Sequence, residues 1–472
     1  MTEISTARPR VRPGLRRAAI IIFVLLLPVA AHALWDYIEA RRLSSAVEAI
    51  RQRGERLHFG KSGEGRPITP EQKQASRYYG AAGILVRDAY GKPLAAVSQE
   101  IAALSALDPA AARADPRLET LRQVAEQYSP ALELLDRAAR LDARGLDYGD
   151  ESRYGFPNKY LADVNTLRTA RLAFLGEAEA ASQALLGTLR IQRAYRDVYW
   201  LNWPVDSDSS LRLILAFAPP AERELRSLQE EYAKWDVDSE VEDRLVEIRA
   251  RLIEVVWPGA FGELPTVPRI QDPQDRGRAS RLVDVALRPW VTRGLTRVLR
   301  QYEDALAAAR QPWPAKLDAA KAIAERYPGT QSESSLAQSL LGFSSFRLVL
   351  GSNPSAGELG RLAPAVGAQM ARRRAAIATL AVERYRRAHG GTAPPSLGDL
   401  VPTYLKSVPL DPFNGRALHY AHATNNYKVY SLGENRQDDG GDWSEVEVDR
   451  PRPNYVRRAP RDLGLEVPIR KQ

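Results

Sequence analysis

The chain has 472 residues, no cysteine and a formal net charge of +9, with 44% hydrophobic and 26% charged residues. That length exceeds one ordinary core, so two or more domains are expected, and the balance is that of a globular chain. The lack of cysteine excludes disulfides, thiolate catalysis and Cys-based zinc sites. The arginines are mixed with acids at helical spacing, which describes a solvated surface better than a nucleic-acid site.

Residues 1–17 form a basic segment expected to stay in the cytoplasm. Residues 18–35 read AAIIIFVLLLPVAAHALW, preceded by Arg8, Arg10, Arg12, Arg16 and Arg17 against the single acid Glu3. These eighteen residues, with no charge beyond that of His32, rise about 27 Å as a helix, near the minimum for a bilayer core. The arginines hold the N-terminus inside and send the rest across. A retained signal anchor is favoured. The competing reading is a cleaved signal peptide, with Pro28 breaking the helix and Ala31-His32-Ala33 as the cleavage pattern. Trp35 and Tyr37 suit the outer interface. Both readings make this a single pass at most and place nearly all of the chain outside the cytoplasm.

Residues 36–350 read as one all-α extracytoplasmic domain, an irregular bundle or helix-pair array. Helices are predicted over 36–53, 70–89, 94–107, 116–142, 159–199 (with a break near Gly176), 220–234, 239–256, 280–308 and 315–327. Gly and Pro clusters such as Pro312-Trp313-Pro314 separate them. No repeat recurs at a fixed period, which disfavours a tetratricopeptide array. No nucleotide-binding, zinc-protease or serine-hydrolase motif occurs. The five histidines, His32, His58, His389, His419 and His422, lie far in sequence from Glu177, Glu179 and the other acids of the middle. A polar cluster, Asp206 to Ser210, follows Trp200 and Trp203; it reads as a loop and helix start before it reads as a cation or sugar site. Residues 261–277 read as an exposed connector and 351–361 as a linker.

Residues 362–450 read as a small α+β domain. A helix over 362–389 carries an apolar stripe, with Arg372–Arg374 at an exposed turn, and ends at Gly390-Gly391. Ser396 and Asp399 form a capping-box pattern. Strands are predicted at 417–421 and 427–432, with a further edge strand at 446–448. The loop 433–442, GENRQDDGGD, gathers Glu434, Asn435, Asp438, Asp439 and Asp442 between glycines. Oxygen donors with tight turns suit calcium, while a solvated acidic turn is the equal alternative. Residues 451–472 read as a Pro- and Arg-rich extended tail.

The order Gly391-x-x-Pro394, Leu397-x-x-Leu400-Val401, Val408-Pro409-x-Asp411-Pro412-Phe413, Leu418-x-Tyr420, Tyr427-x-Val429-Tyr430-Ser431-Leu432-Gly433 and the acidic loop resembles the globular domain of the major pseudopilin of type II secretion systems. The likeness covers about a fifth of the chain. It implies calcium as a cofactor, held by the Leu432 carbonyl, Asn435 and Asp442, with Asp438 or Asp439 assisting. The family has Asp where Asn435 stands. It also has a leader cleavage site and a glutamate that this chain lacks, with Ala19 at the glutamate position. More than three hundred residues separate the apolar segment from the pilin-like part, so a filament subunit is not expected. The layout as a whole resembles bacterial envelope proteins that carry such a domain. The expected function is a tethered, non-enzymatic interaction protein, contacting secretion or pilus components of the envelope. The alternatives are an envelope enzyme acting on polysaccharide through carboxylates, and a periplasmic helical-repeat binder.

Overall fold

The computed structural model describes residues 13–57, 69–89, 92–141, 143, 158–195, 207–234, 238–256, 278–327, 354–448 and 457–469. Expectations for the basic segment 1–12, for Trp200, Trp203 and Asp206, and for the connector 261–277 lie outside these residues. The described chain is mainly helical. Its helices are α1 (Pro13–Gln52), α2 (Pro70–Ala89), α3 (Lys92–Ser105), α4 (Pro109–Ala114), α5 (Arg117–Gln127), α6 (Ser129–Arg140), α7 (Asn158–Leu175), α8 (Ala178–Ala194) and α9 (Ser207–Phe217). They continue with α10 (Glu222–Ala233), α11 (Glu240–Val256), α12 (Arg278–Ala309), α13 (Ala315–Arg326) and α14 (Pro354–Ala388). Five strands follow: β1 (His419–His422), β2 (Asn426–Ser431), β3 (Glu445–Val448), β4 (Arg457–Pro460) and β5 (Leu463–Pro468).

Most predicted helices appear within a few residues of their expected ends. Where one helix is expected over 116–142, Arg117–Gln127 and Ser129–Arg140 are separate helices, because Pro130 lacks an amide proton and its ring opposes the preceding turn. The break at Gly176 is observed, with φ +80° there. Pro28 does not interrupt α1, which runs unbroken from the apolar stretch into the following segment. α1 is long and apolar enough to cross a membrane. Its side chains from Ile21 to Val29 are exposed, whereas Leu43, Val47 and Ile50 of the same helix are buried.

The chain divides into two compact units, and their boundaries do not follow the expected domains. The first comprises Met1–Phe59, Leu245–Ala305 and Tyr327–Ala356. Within it Arg249, fully buried, lies 2.6 Å from Glu55 and 3.1 Å from Glu303, and Arg53 closes the group at 2.7 Å from Glu303. A charge taken out of water in this way needs such partners.

The second unit comprises Gly60–Arg244, Leu306–Arg326 and Gly357–Gln472. One core runs through it, from Tyr79, Leu121, Leu161 and Phe174 to Leu380, Leu400, Tyr427 and Leu465. The C-terminal α+β region is therefore built into the helical array. The stretch expected as a linker, 351–361, belongs from Pro354 onward to α14. Residues Arg372–Arg374 are also not an exposed turn. All three are half-buried: Arg373 donates to Gln192 at 3.1 Å, Arg374 to the Leu410 carbonyl at 2.6 Å, and Arg372 lies 4.0 Å from Asp208.

β1, β2 and β5 form an antiparallel sheet with β2 in the centre; β3 and β4 form a separate ribbon. Residues 457–469 of the expected extended tail are thus part of the fold. Leu463, Leu465 and Val467 are buried, alternating with half-buried Gly464, Glu466 and Pro468, and β5 packs on α9. Burial of an apolar row, not its Pro- and Arg-rich surroundings, decides the state of this segment.

Candidate functional site

The acidic loop is positioned by Asp411. This fully buried side chain accepts the amide protons of Phe413 at 2.8 Å and Leu432 at 2.9 Å, and the Ser431 hydroxyl at 2.8 Å. It ties the turn before β1 to the end of β2, where the loop begins. The chain then reverses at Gly433, with φ +65°. A Cβ there would lie 2.4 Å from the Arg461 carbonyl oxygen, so the close approach of the two segments requires glycine.

The sequence-derived candidates are neighbours in this loop, but their donors face different partners. Asn435 donates from Nδ2 to Asp439 at 2.8 Å and accepts the Gln437 amide at 3.1 Å. Asp438 accepts Tyr430 Oη and the Gly440 amide, both at 3.0 Å, and its other oxygen is 3.2 Å from His419 Nδ1. The Gly440 amide bond is the main cause that holds the Asp438 carboxyl below its usual range. Both oxygens of Asp442 are taken by Ser444, from the amide at 2.9 Å and the hydroxyl at 2.8 Å, and these bonds lower its pKa.

Two cations that the sequence reading missed complete the loop. Arg461 lies 3.1 Å from Asp439 and 3.6 Å from Asp442. Lys428 Nζ donates to the carbonyls of Gly440 and Gly441, at 3.1 Å each. A Cβ at Gly441 would stand 2.6 Å from Lys428 Cδ, so this glycine makes room for the lysine stem. Asp462 is fully buried and accepts the Gly441 and Asp442 amides on one oxygen, at 2.8 and 3.3 Å. Its other oxygen has no hydrogen-bond partner, and burial raises its pKa.

Calcium requires six to eight oxygens converging at 2.3–2.6 Å. Among the described residues no three of His, Cys, Asp and Glu gather as a group that could hold a metal. The orphan oxygen of Asp462 is one donor, and the positive charge beside Asp439 and Asp442 is a guanidinium. In this arrangement the residues do not fit a calcium ion.

Elsewhere in the second unit, Glu231 is buried among Arg193 at 2.9 Å, Lys234 at 3.1 Å and Arg190 at 3.6 Å. Burial pulls Arg373 down to about 10. This is an ion-paired cluster in the helical array. Glu179 pairs with Arg223 at 2.9 Å. Of the polar cluster, Ser207–Phe217 is helix, with Ser207 and Ser210 buried, as expected of a helix start. A 380 Å³ cavity is lined by Asp238, Glu242, Arg310, Trp313, Lys316 and Arg374, among others. Its charges bond to the walls: Arg310 to Glu242 and Lys316 to the Asp238 carbonyl, both at 2.8 Å.

No family model, curated protein or solved structure matches the chain.

Proposed function

We propose that the chain is a single-pass inner-membrane protein with its bulk in the periplasm, acting as a non-enzymatic interaction protein whose C-terminal region is a pseudopilin-like head. The reading rests on α1. One unbroken helix carries both the exposed apolar run and the buried Leu43, Val47 and Ile50, which is what an anchor continuous with a folded body requires. The head offers a hydrogen-bonded acidic loop to pilin-like or secretion components of the envelope. Arg461 beside Asp439 and Asp442, and Lys428 on the Gly440 and Gly441 carbonyls, offset part of that loop's charge from within, in the place the resemblance gives to calcium.

The absence of native cysteine makes the test direct. Gln437→Cys, at an exposed loop position, is to be labelled by a membrane-impermeant maleimide in cells whose outer membrane alone is permeabilised. Labelling supports the orientation; labelling only after the inner membrane is broken refutes it. A photo-crosslinking residue at Glu434 should then join the head to a pilin-like subunit in cells that assemble such machinery. A clean absence of that product in cells where the orientation holds would remove the partner assignment.

Melting of the full chain in detergent tests the loop. Calcium and chelator should give the same Tm for the native chain. A calcium-dependent rise in the native chain, lost in Asp442→Ala, would restore the metal.

A further inference from the structure

The end of the apolar run on α1 meets a second helix of the same unit. Trp35 stacks edge-on against Trp290 of α12, with ring centroids 4.4 Å apart and planes at 75°. One residue beyond Trp35, Asp36 lies 3.4 Å from Arg288. Arg41 sits over the Tyr37 ring at 5.3 Å. Trp290 is 47% exposed although Pro289 and Thr292 beside it are buried. Tryptophan is enriched at membrane interfaces, where one end of the ring is apolar and the other wet.

We infer that Trp290 on α12 is a second membrane contact, seated in the lipid headgroup layer beside Trp35. The inference rests on the anchor reading of α1. If the apolar run spans the bilayer, Trp35 falls at its outer boundary, and the helix continues without a hinge into the buried Leu43. The rest of the unit is then held at a fixed height. Any residue touching Trp35 lies at the same depth, where Trp, Tyr and Arg are the favoured residues. Trp35, Tyr37, Arg41, Arg288 and Trp290 form that composition from two helices. The occupant is lipid, because the surface is continuous with the membrane-spanning segment itself.

The test uses the full chain in nanodiscs of phosphatidylethanolamine and phosphatidylglycerol, with single cysteines carrying an environment-sensitive fluorophore. Trp290→Cys and Arg293→Cys report on α12; the second leaves Trp290 in place, so a folding defect in the first does not decide the result. Glu48→Cys is the control, thirteen residues beyond Trp35 and about 20 Å further along α1. A headgroup nitroxide lipid should quench positions 290 and 293 roughly twofold and leave 48 unchanged. Leu25→Cys, with an acyl-chain nitroxide, checks the anchor separately. No quenching at 25 rejects the anchor. Quenching at 25 with none at 290 and 293 overturns this inference alone. Equal quenching at 48 and 290 overturns it too, because the unit would then lie flat.

Discussion

The Asp411 carboxylate accepts the Leu432 amide proton at 2.9 Å, joining the turn that precedes β1 to the loop that follows β2. Its other oxygen takes Phe413 and Ser431, so every partner it has is a donor. Asp411→Ala leaves two amides and a hydroxyl unpaired in a buried site and should cost on the order of 3–5 kcal/mol. Asp411→Asn should recover only part, because its NH₂ faces another donor. Urea unfolding of the full chain in detergent checks both; an Asn variant as stable as the native chain would remove Asp411 from this role.

Asp462 invites the opposite result. Burial raises its folded-state pKa, so its ionised form is disfavoured in the folded chain, and it costs stability as pH rises through its usual 3.8. Asp462→Asn removes that cost while keeping one oxygen for the Gly441 and Asp442 amides. The variant should match or exceed the native chain above pH ~4. Asp462→Ala loses the acceptor and should fall by about 1–3 kcal/mol. Were the orphan oxygen a metal donor, the Asn variant would be weaker only with calcium present, a difference that paired melts would detect.

In the first unit, burial works to raise the Glu55 pKa, but hydrogen bonds from Arg53 and Arg249 outweigh it and bring the group from 4.5 down to about 2. A depressed carboxylate contributes stability that is present above pH 4.5 and lost as pH falls towards 2. Glu55→Gln should flatten the acid limb of a stability–pH curve across that window and leave its neutral region with a lower plateau. An acid limb of unchanged slope would show that Glu55 does not carry it.

Leu465 sits in β5 at 1% exposure, paired with Val429 at the centre of the sheet. Leu465→Ala should cost about 2–4 kcal/mol, the cost of a core leucine. An extended tail would lose nothing, so the same unfolding measurement separates the two descriptions of this segment.

Much of the helical architecture was legible because apolar spacing and breakers act locally. The Gly176 break, the Ser396–Asp399 capping box and the start and end of α2 all follow from residues a few positions apart. The tail was misread for a different reason. Its composition is dominated by Pro and Arg, while the deciding signal is the short alternation Leu463, Leu465, Val467, and a row of three apolar residues is a strand only if a sheet awaits it. The loop was half legible. Its acids are contiguous and visible, but Lys428 and Arg461 come from another strand and from the turn between β4 and β5. Sequence distance hides which charges meet. The merging of α14 into the helical core was hidden likewise, since an amphipathic stripe tells that a face is covered and not by what.

The order β1-β2-β5 also sets a timetable. β1 and β2 are made in succession and can pair at once, but the other edge of β2 waits until β5 emerges roughly thirty residues later. During that interval Tyr427 and Val429 lack half their cover, and a row of open backbone groups can pair with any passing strand. The nascent chain is therefore most vulnerable just before β5 emerges, and its dependence on holding chaperones should be greatest in forms that stop short of Leu463.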